Sequence, residues 1–232
     1  CLHMSYSPQP RLTRSVEDYL KAVYALTERE ESASTSALAE SLDVQPGSVT
    51  GMVKRLAECG YLEHARYHGV RLTEAGSREA LRIIRRHRIL ESYLHMHLGY
   101  SWEEVHQEAE RLEHAASEAL IDRMAAILEH PSYDPHGAPI PTPSGEIEVS
   151  EFVTLNEVAP GVAVQIRAVQ DEDPVRLRYL ETLGLVPGVR ITVQERAPFG
   201  GPTTVSVGIR GDEEVIGSDL ADGIFVVPAP SR

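Results

Sequence analysis

Cysteine is scarce in this chain, with two among 232 residues, at positions 1 and 59. Two thiols cannot build a disulfide framework, which points to a reducing, cytoplasmic compartment. Cys1-Leu2-His3 stand ahead of Met4 and read as a remnant rather than as a signal peptide. Cys59 is then the one native thiol, and a thiolate metal site is not expected. Long hydrophobic runs are missing too. No stretch approaches the roughly 18 apolar residues of a spanning helix, which excludes an integral membrane protein. There is no repeat at solenoid period, no low-complexity tract, no nucleophile elbow and no phosphate loop.

The remaining composition is that of a soluble globular protein: 42% hydrophobic and 25% charged residues. The length suggests two or three compact units. A net charge of −13 argues at first sight against nucleic acid. The charge is unevenly spread, however. Residues 1–78 carry 9 Lys/Arg against 10 Asp/Glu, residues 79–130 carry 6 against 10, and residues 131–232 carry 7 against 15. The acidity gathers toward the C-terminal end, and local distribution governs nucleic-acid binding more than the total does.

Apolar spacing predicts a helix from Ser15 to Arg29, with Ser15 and Asp18 as a capping box. A second helix is expected at about 35–42, then a turn at 43–47. A third helix follows at 46–59, with Val49, Met52, Val53 and Leu56 on one face. Residues 62–72 alternate as a hairpin with His68-Gly69 at its tip. This order makes residues 4–73 a winged helix-turn-helix. Its third helix would present Gln45, Pro46, Ser48 and Thr50 to base edges, with Lys54 and Arg55 on phosphates. The hairpin would add His64, Arg66, His68 and Arg71 as backbone contacts. Cys59, where the third helix ends, is expected to be a small buried hydrophobe.

Two long helices are predicted at about 73–98 and 102–129, then a proline- and glycine-rich linker at 131–145. These make a second, all-α domain over residues 74–145. Short β-like runs at 162–169, 190–195, 203–209 and 224–227, with a helical turn near 174–183, make residues 146–232 a small all-β module. The fold class is therefore α+β multidomain. On the second long helix His106, Glu110, Glu113 and His114 fall at i, i+4, i+7 and i+8, on one face. The helix before it carries His87 and Glu91, again four apart. Such a set of imidazoles and carboxylates suits Mn2+ or Fe2+. The alternative is a charged solvent face, against which Val105, Ala109 and Leu112 suggest packing on several sides. His95, His97, His130 and His136 have no partners at ligand spacing and are expected at the surface.

Several segments carry a family likeness: Ser15 to Leu20, Val49 to Val53, Leu72 to Gly76, Arg86 to Glu91 and Val105 to His114. Together they resemble the diphtheria-toxin-repressor family, and most nearly its manganese-responsive branch, over almost the whole chain. Leu180 to Gly188 resembles part of the SH3-like small β-barrel that many members append. The resemblance implies a homodimer that takes a divalent metal as corepressor and then binds a duplex operator, with no membrane and no small-molecule substrate. It assigns Asp18, Glu110, Glu113 and His114 to the activating site. It assigns His87, Glu91 and His106 to an ancillary site, to which Asp173, or else Glu172, would add a ligand from the β module. Iron-type members have Met where Asp18 stands and Cys where Glu110 stands, so the ion implied is Mn2+, with Fe2+ as the alternative. Lys21 stands where a second acidic ligand is usual, which implies two separated sites rather than a paired cluster. The function implied is repression of metal-uptake genes by a protein that is not an enzyme. The rival from another class is a di-metal carboxylate enzyme. That chemistry wants two Glu-x-x-His motifs on facing helices, and this chain has one, Glu103 to His106.

Overall fold

The computed structural model describes residues 12–29, 31–65, 69–148, 152–170 and 173–229, with the side chains of Arg29, His64 and Ala65 outside that description. It divides into two units, residues 1–85 with 141–146, and residues 86–140 with 147–232. Among the described residues no helix is long and apolar enough to cross a membrane.

In the first unit α1 (Arg14–Arg29), α2 (Thr35–Ser41) and α3 (Pro46–Glu58) precede the strands β1 (Leu62–Ala65) and β2 (Gly69–Leu72). Val16, Tyr19, Leu20 and Val23 recur at helical spacing on α1 and are buried with Leu38, Val49, Val53 and Leu56. The amides of Val16 and Glu17 bond the Thr13 carbonyl, so Thr13 occupies the cap position and α1 starts before Ser15. The capping box expected at Ser15 and Asp18 is therefore not formed, because burying Val16 draws Ser15 inside the first turn. Ser34 caps α2, its hydroxyl accepting from the Ala37 amide at 3.0 Å. Pro46 opens α3, where a missing N–H costs nothing. Cys59 is exposed rather than buried, since it follows the last turn of α3 on its polar side. β1 and β2 pair antiparallel with Leu62 opposite Leu72, and Val70 exchanges two further backbone bonds with Ala33.

The helix α4 (Glu74–Leu98) begins in the first unit and ends in the second. After it come α5 (Val105–Leu112) and α6 (Glu118–Ile127), where one continuous helix was expected. The break has a local cause. The Glu113 amide makes the last α5 bond, to Ala109, and Ser117 then caps a new helix by accepting from the Leu120 amide. Ile89, Leu90, Leu94, Val105, Ala109, Ile121 and Ala125 form the core of this part. Leu112 is partly exposed, contrary to the expectation of packing all round α5.

Residues 131–140 are not a loose linker. Tyr133 bridges to Pro139, and the Asp134 Oδ1 accepts from the amides of His136 at 2.9 Å and Ala138 at 3.0 Å. Such an Asx-type turn satisfies its own backbone and can be buried. His136 is fully buried, which corrects its expected surface position.

The rest of this unit is a six-stranded antiparallel sheet. Its strands are β3 (Val153–Thr154), β4 (Ala163–Val169), β5 (Arg190–Arg196), β6 (Thr203–Val207), β7 (Asp212–Ile216) and β8 (Ile224–Pro228). They lie in the order β3-β8-β4-β5-β6-β7. Two helices, α7 (Pro174–Thr182) and α8 (Ser218–Asp222), pack with it. Alternate residues Val164 and Ile166, Ile191 and Val193, and Val205 and Val207 point into its core, which also holds Trp102 from the segment before α5. The SH3-like module is thus joined to the helical part of its unit through shared burial. At Gly137 the backbone has φ +88°, and an added Cβ would lie 1.9 Å from the Arg167 carbonyl oxygen of β4. Gly137→Ala is accordingly expected to lower the stability of the second unit by on the order of 3 kcal/mol, read by chemical denaturation. A loss below about 0.5 kcal/mol would show that this close approach is not a constraint.

Candidate metal centre and nucleic-acid interface

Three donor atoms converge between α4 and α5. His87 Nε2 lies 2.9 Å from Glu91 Oε1 and 3.1 Å from His106 Nδ1, and His106 Nδ1 lies 3.1 Å from the same Glu91 oxygen. Each ring nitrogen has a single in-plane lobe, so the three contacts cannot all be good hydrogen bonds whichever nitrogens carry protons. A cation at their common centre would satisfy all three. Donors about 2.1 Å from one centre at right angles lie about 3 Å apart, the spacing of this triangle. Glu91 is fully buried, and its second oxygen has no hydrogen-bond partner among the described residues. Burial pushes the Glu91 carboxyl up. The charge of His87, with hydrogen bonds from His106 and His87, outweighs that and holds the group well below the usual carboxylate range.

Glu113 joins this set from the far side of the same ring. Its Oε2 is 2.7 Å from His87 Nδ1, and its Oε1 is 3.3 Å from His114 Nε2. Glu110, partly exposed on α5, places an oxygen 3.9 Å from His87 Nδ1. The residues expected as two separate sites are therefore linked through one imidazole. Glu113 and His114 also lie beyond the end of α5, in the turn before α6, and not on a continuous helical face with His106 and Glu110. Asp18 lies on α1 of the first unit, its carboxylate 3.9 Å from the Arg14 guanidinium.

Asp173 is not part of the cluster. Its Oδ1 caps α7, accepting from the Val175 amide at 2.8 Å, and the side chain is exposed. Glu172 lies outside the described residues. Arg176 is turned within the β module, bonding Gln170 and the Asp219 carbonyl. What approaches Glu91 instead is the 131–140 segment: Asp134, His136 and Glu91 bring donor atoms within 4.8 Å of one another, all buried. The sequence offered no periodic signal for Asp134 or His136, because an Asx turn has none.

The polar side of α3 is open to solvent. Gln45, Pro46, Ser48, Thr50, Lys54 and Arg55 are all exposed there, opposite the buried Val49, Val53 and Leu56. The Thr50 hydroxyl bonds back to the Pro46 carbonyl, and Lys54 reaches Glu58 at 4.0 Å, an exposed pair of little strength. In the hairpin Arg71 is held by Glu31 at 2.8 Å, so its charge is partly matched within the protein. Arg66 and His68 lie outside the described residues, as does the side chain of His64.

Comparison with known proteins gives three family matches: "Iron dependent repressor, N-terminal DNA binding domain" over residues 11–70, "Iron dependent repressor, metal binding and dimerisation domain" over 73–142, and "FeoA domain" over 153–228. The iron-dependent repressor IdeR of Mycobacterium tuberculosis is 35% identical over 216 residues, 88% of this chain and 92% of the relative. The transcriptional regulator MntR of Oceanobacillus iheyensis is 38% identical over 118 residues, 51% of this chain and 80% of that protein. Among solved structures, a manganese-dependent transcriptional repressor in complex with manganese is 37% identical. It superposes with a TM-score of 0.86 over 92% of this chain and all of that one. The IdeR of T. acidophilum is 30% identical with a TM-score of 0.76, over 95% of this chain and all of that one.

The roles expected for the exposed α3 residues, base edges for Ser48 and phosphates for Lys54, give separate tests. Ser48→Ala is expected to cost on the order of 1–3 kcal/mol on a preferred duplex and to relax the sequence preference at one position. Lys54→Ala should weaken binding to all duplexes alike and flatten the salt dependence by about one ion. Fluorescence anisotropy across a salt series checks both. A Ser48→Ala protein with unchanged sequence preference would place the reading residues elsewhere.

Proposed function

The chain belongs to the family of iron-dependent repressors, DNA-binding transcriptional regulators that answer to a divalent metal, and we propose that the ion this member answers to is Mn2+. On this reading the protein is a cytoplasmic homodimer that represses metal-uptake genes by binding duplex operator DNA. The family is one of repressors and not of enzymes, which sets the di-metal carboxylate enzyme aside. The observation that carries the metal reading is the convergence of His87, His106 and Glu91 on one point, with a buried Glu91 oxygen left over.

A bound divalent ion supplies a positive centre against which the buried carboxylates keep their charge. The rest is the work of the chain's own side chains. Glu113 accepts from His87 Nδ1, which fixes the ring so that Nε2 faces Glu91 and His106. The same carboxylate reaches His114, so the set His87, Glu91 and His106 and the set Glu110, Glu113 and His114 constrain one another. Asp18 is assigned to the second set from the family pattern. Ser34 and Pro46 fix where α2 and α3 begin, and so which α3 side chains lead into a major groove. A dimer offers two such helices, and an operator with half-sites one turn apart, or a multiple of it, engages both.

The choice of Mn2+ rests on donor hardness. Glu110 and Asp18 offer oxygen where sulfur would favour ions further along the first-row series. The long IdeR match favours Fe2+ as the second reading. The two are separated by binding to a duplex selected from a random pool with Mn2+ present, measured anaerobically with Mn2+, Fe2+ or chelator. Binding should appear with metal and vanish with chelator. In the double variant Asp18→Met with Glu110→Cys, the ratio of Mn2+- to Fe2+-activated binding should fall by roughly tenfold or more. An unchanged ratio would remove these two residues as the determinants of metal choice.

A further inference from the structure

Trp102 is the one tryptophan of the chain, and it sits in an unusual place. It precedes α5 in sequence, yet its side chain is buried in the core of the β module with Val169, Leu177 and Leu180. Its indole N–H donates to the Pro135 carbonyl at 3.1 Å, and its own carbonyl accepts from His136 Nε2 at 2.9 Å. The two rings lie 5.3 Å apart at 36°. His136 is bonded to the same module directly, its backbone carbonyl accepting from the Val169 amide of β4, and a ring nitrogen comes within 4.8 Å of donor atoms of Glu91 and Asp134. The joint is reinforced at its rim by Arg178, 3.2 Å from Glu103, and by the Arg167 guanidinium over the Tyr133 ring.

We propose that His136 is a positioning residue that ties occupancy of the His87, Glu91 and His106 site to the seating of the β module, through its bond to the Trp102 carbonyl. The inference rests on the metal reading given above and deepens it. Glu91 belongs to two groups at once, the triangle with His87 and His106 and the buried trio with Asp134 and His136. A ligand that fixes the Glu91 carboxylate restricts the side chains packed on it. His136 is the member of that trio which bonds outward to Trp102, and Trp102 is core to the β module. Two groups whose arrangements depend on each other are coupled, and the coupling is reciprocal: a well-seated module must favour the occupied site by the same factor. Asp173, whose carboxylate caps α7, does not supply this link.

The test uses the full chain, with Trp102 emission and calorimetric Mn2+ binding measured together. His136→Gln keeps an N–H donor near the Nε2 position, whereas His136→Asn places its amide near Nδ1 and cannot reach the Trp102 carbonyl. In the wild type, saturation with Mn2+ should shift Trp102 emission. The Gln variant should keep that shift. The Asn variant, still folded, should lose it and bind Mn2+ roughly tenfold more weakly. A merely structural role would lower the stability of both variants and leave the metal-induced shift in each. The relay is overturned if the wild type binds Mn2+ with no change in Trp102 emission, or if His136→Asn responds as the wild type does. Should the Asn variant not fold, persistence of the shift in His136→Gln supports the relay, and its loss in a folded His136→Gln protein that still binds Mn2+ overturns it. Absence of any Mn2+ binding by the wild type would overturn the metal reading itself, a result the calorimeter gives without reference to Trp102.

Discussion

A carboxylate buried to exclusion of water has to be matched by charge, and Glu91 is that carboxylate. Taken out of water alone it would cost several kcal/mol or give up its charge. The chain surrounds it with His87 from the preceding turn of α4, His106 from α5, and His136 from the segment after α6. The positions of these elements follow from that requirement as much as from apolar packing. Ile89 and Leu90 beside Glu91 anchor α4 in the core, and Val105 and Ala109 anchor α5 on either side of His106. The apolar residues hold the helices at the distance at which the polar ones meet. A hydrogen-bonded network alone leaves one of its three closest contacts unsatisfied, and that deficit is what points to a cation.

The second consequence is that no polar group in this region stands alone. His87 bonds Glu91 with one nitrogen and Glu113 with the other, and Glu113 goes on to His114. Loss of His87 strands the buried carboxylates of Glu91 and Glu113, which costs more than the bonds themselves. Such a network ties the α5–α6 turn, which carries Glu113 and His114, to His87 on α4. On the far side the same logic reaches the β module, whose core is completed by Trp102.

Much of this was legible in the sequence. The first and third helices of the winged helix-turn-helix show in Val16, Leu20 and Val23 and in Val49, Val53 and Leu56, because a one-sided helix must repeat its apolar residues every three or four positions. His87 with Glu91, and His106 with Glu110, were visible for the same reason. What escaped has no period. The α5–α6 break is set by one serine hydroxyl at Ser117, and the start of α1 by Thr13 rather than Ser15. Asp134 and His136 lie in a proline-rich stretch whose composition reads as a linker, while its backbone is satisfied internally by the Asp134 carboxylate. β7 hides behind Asp212, Glu213 and Glu214, since an edge strand with one solvated face need bury little beyond Ile216. A resemblance to a family supplied ligand roles that spacing could not, and it carried over Asp173, which in this chain is a helix cap.

The His87, Glu91 and His106 triangle is proposed as a metal site and not a satisfied polar core. Anomalous diffraction at the manganese absorption edge, from crystals of the full chain grown with Mn2+, tests it most directly. A peak is expected that is bounded by His87 Nε2, Glu91 and His106 Nδ1, with Glu113 still bonded to His87 Nδ1. A saturated crystal with no peak there, and with His87 and Glu91 still in hydrogen-bond contact, would contradict it.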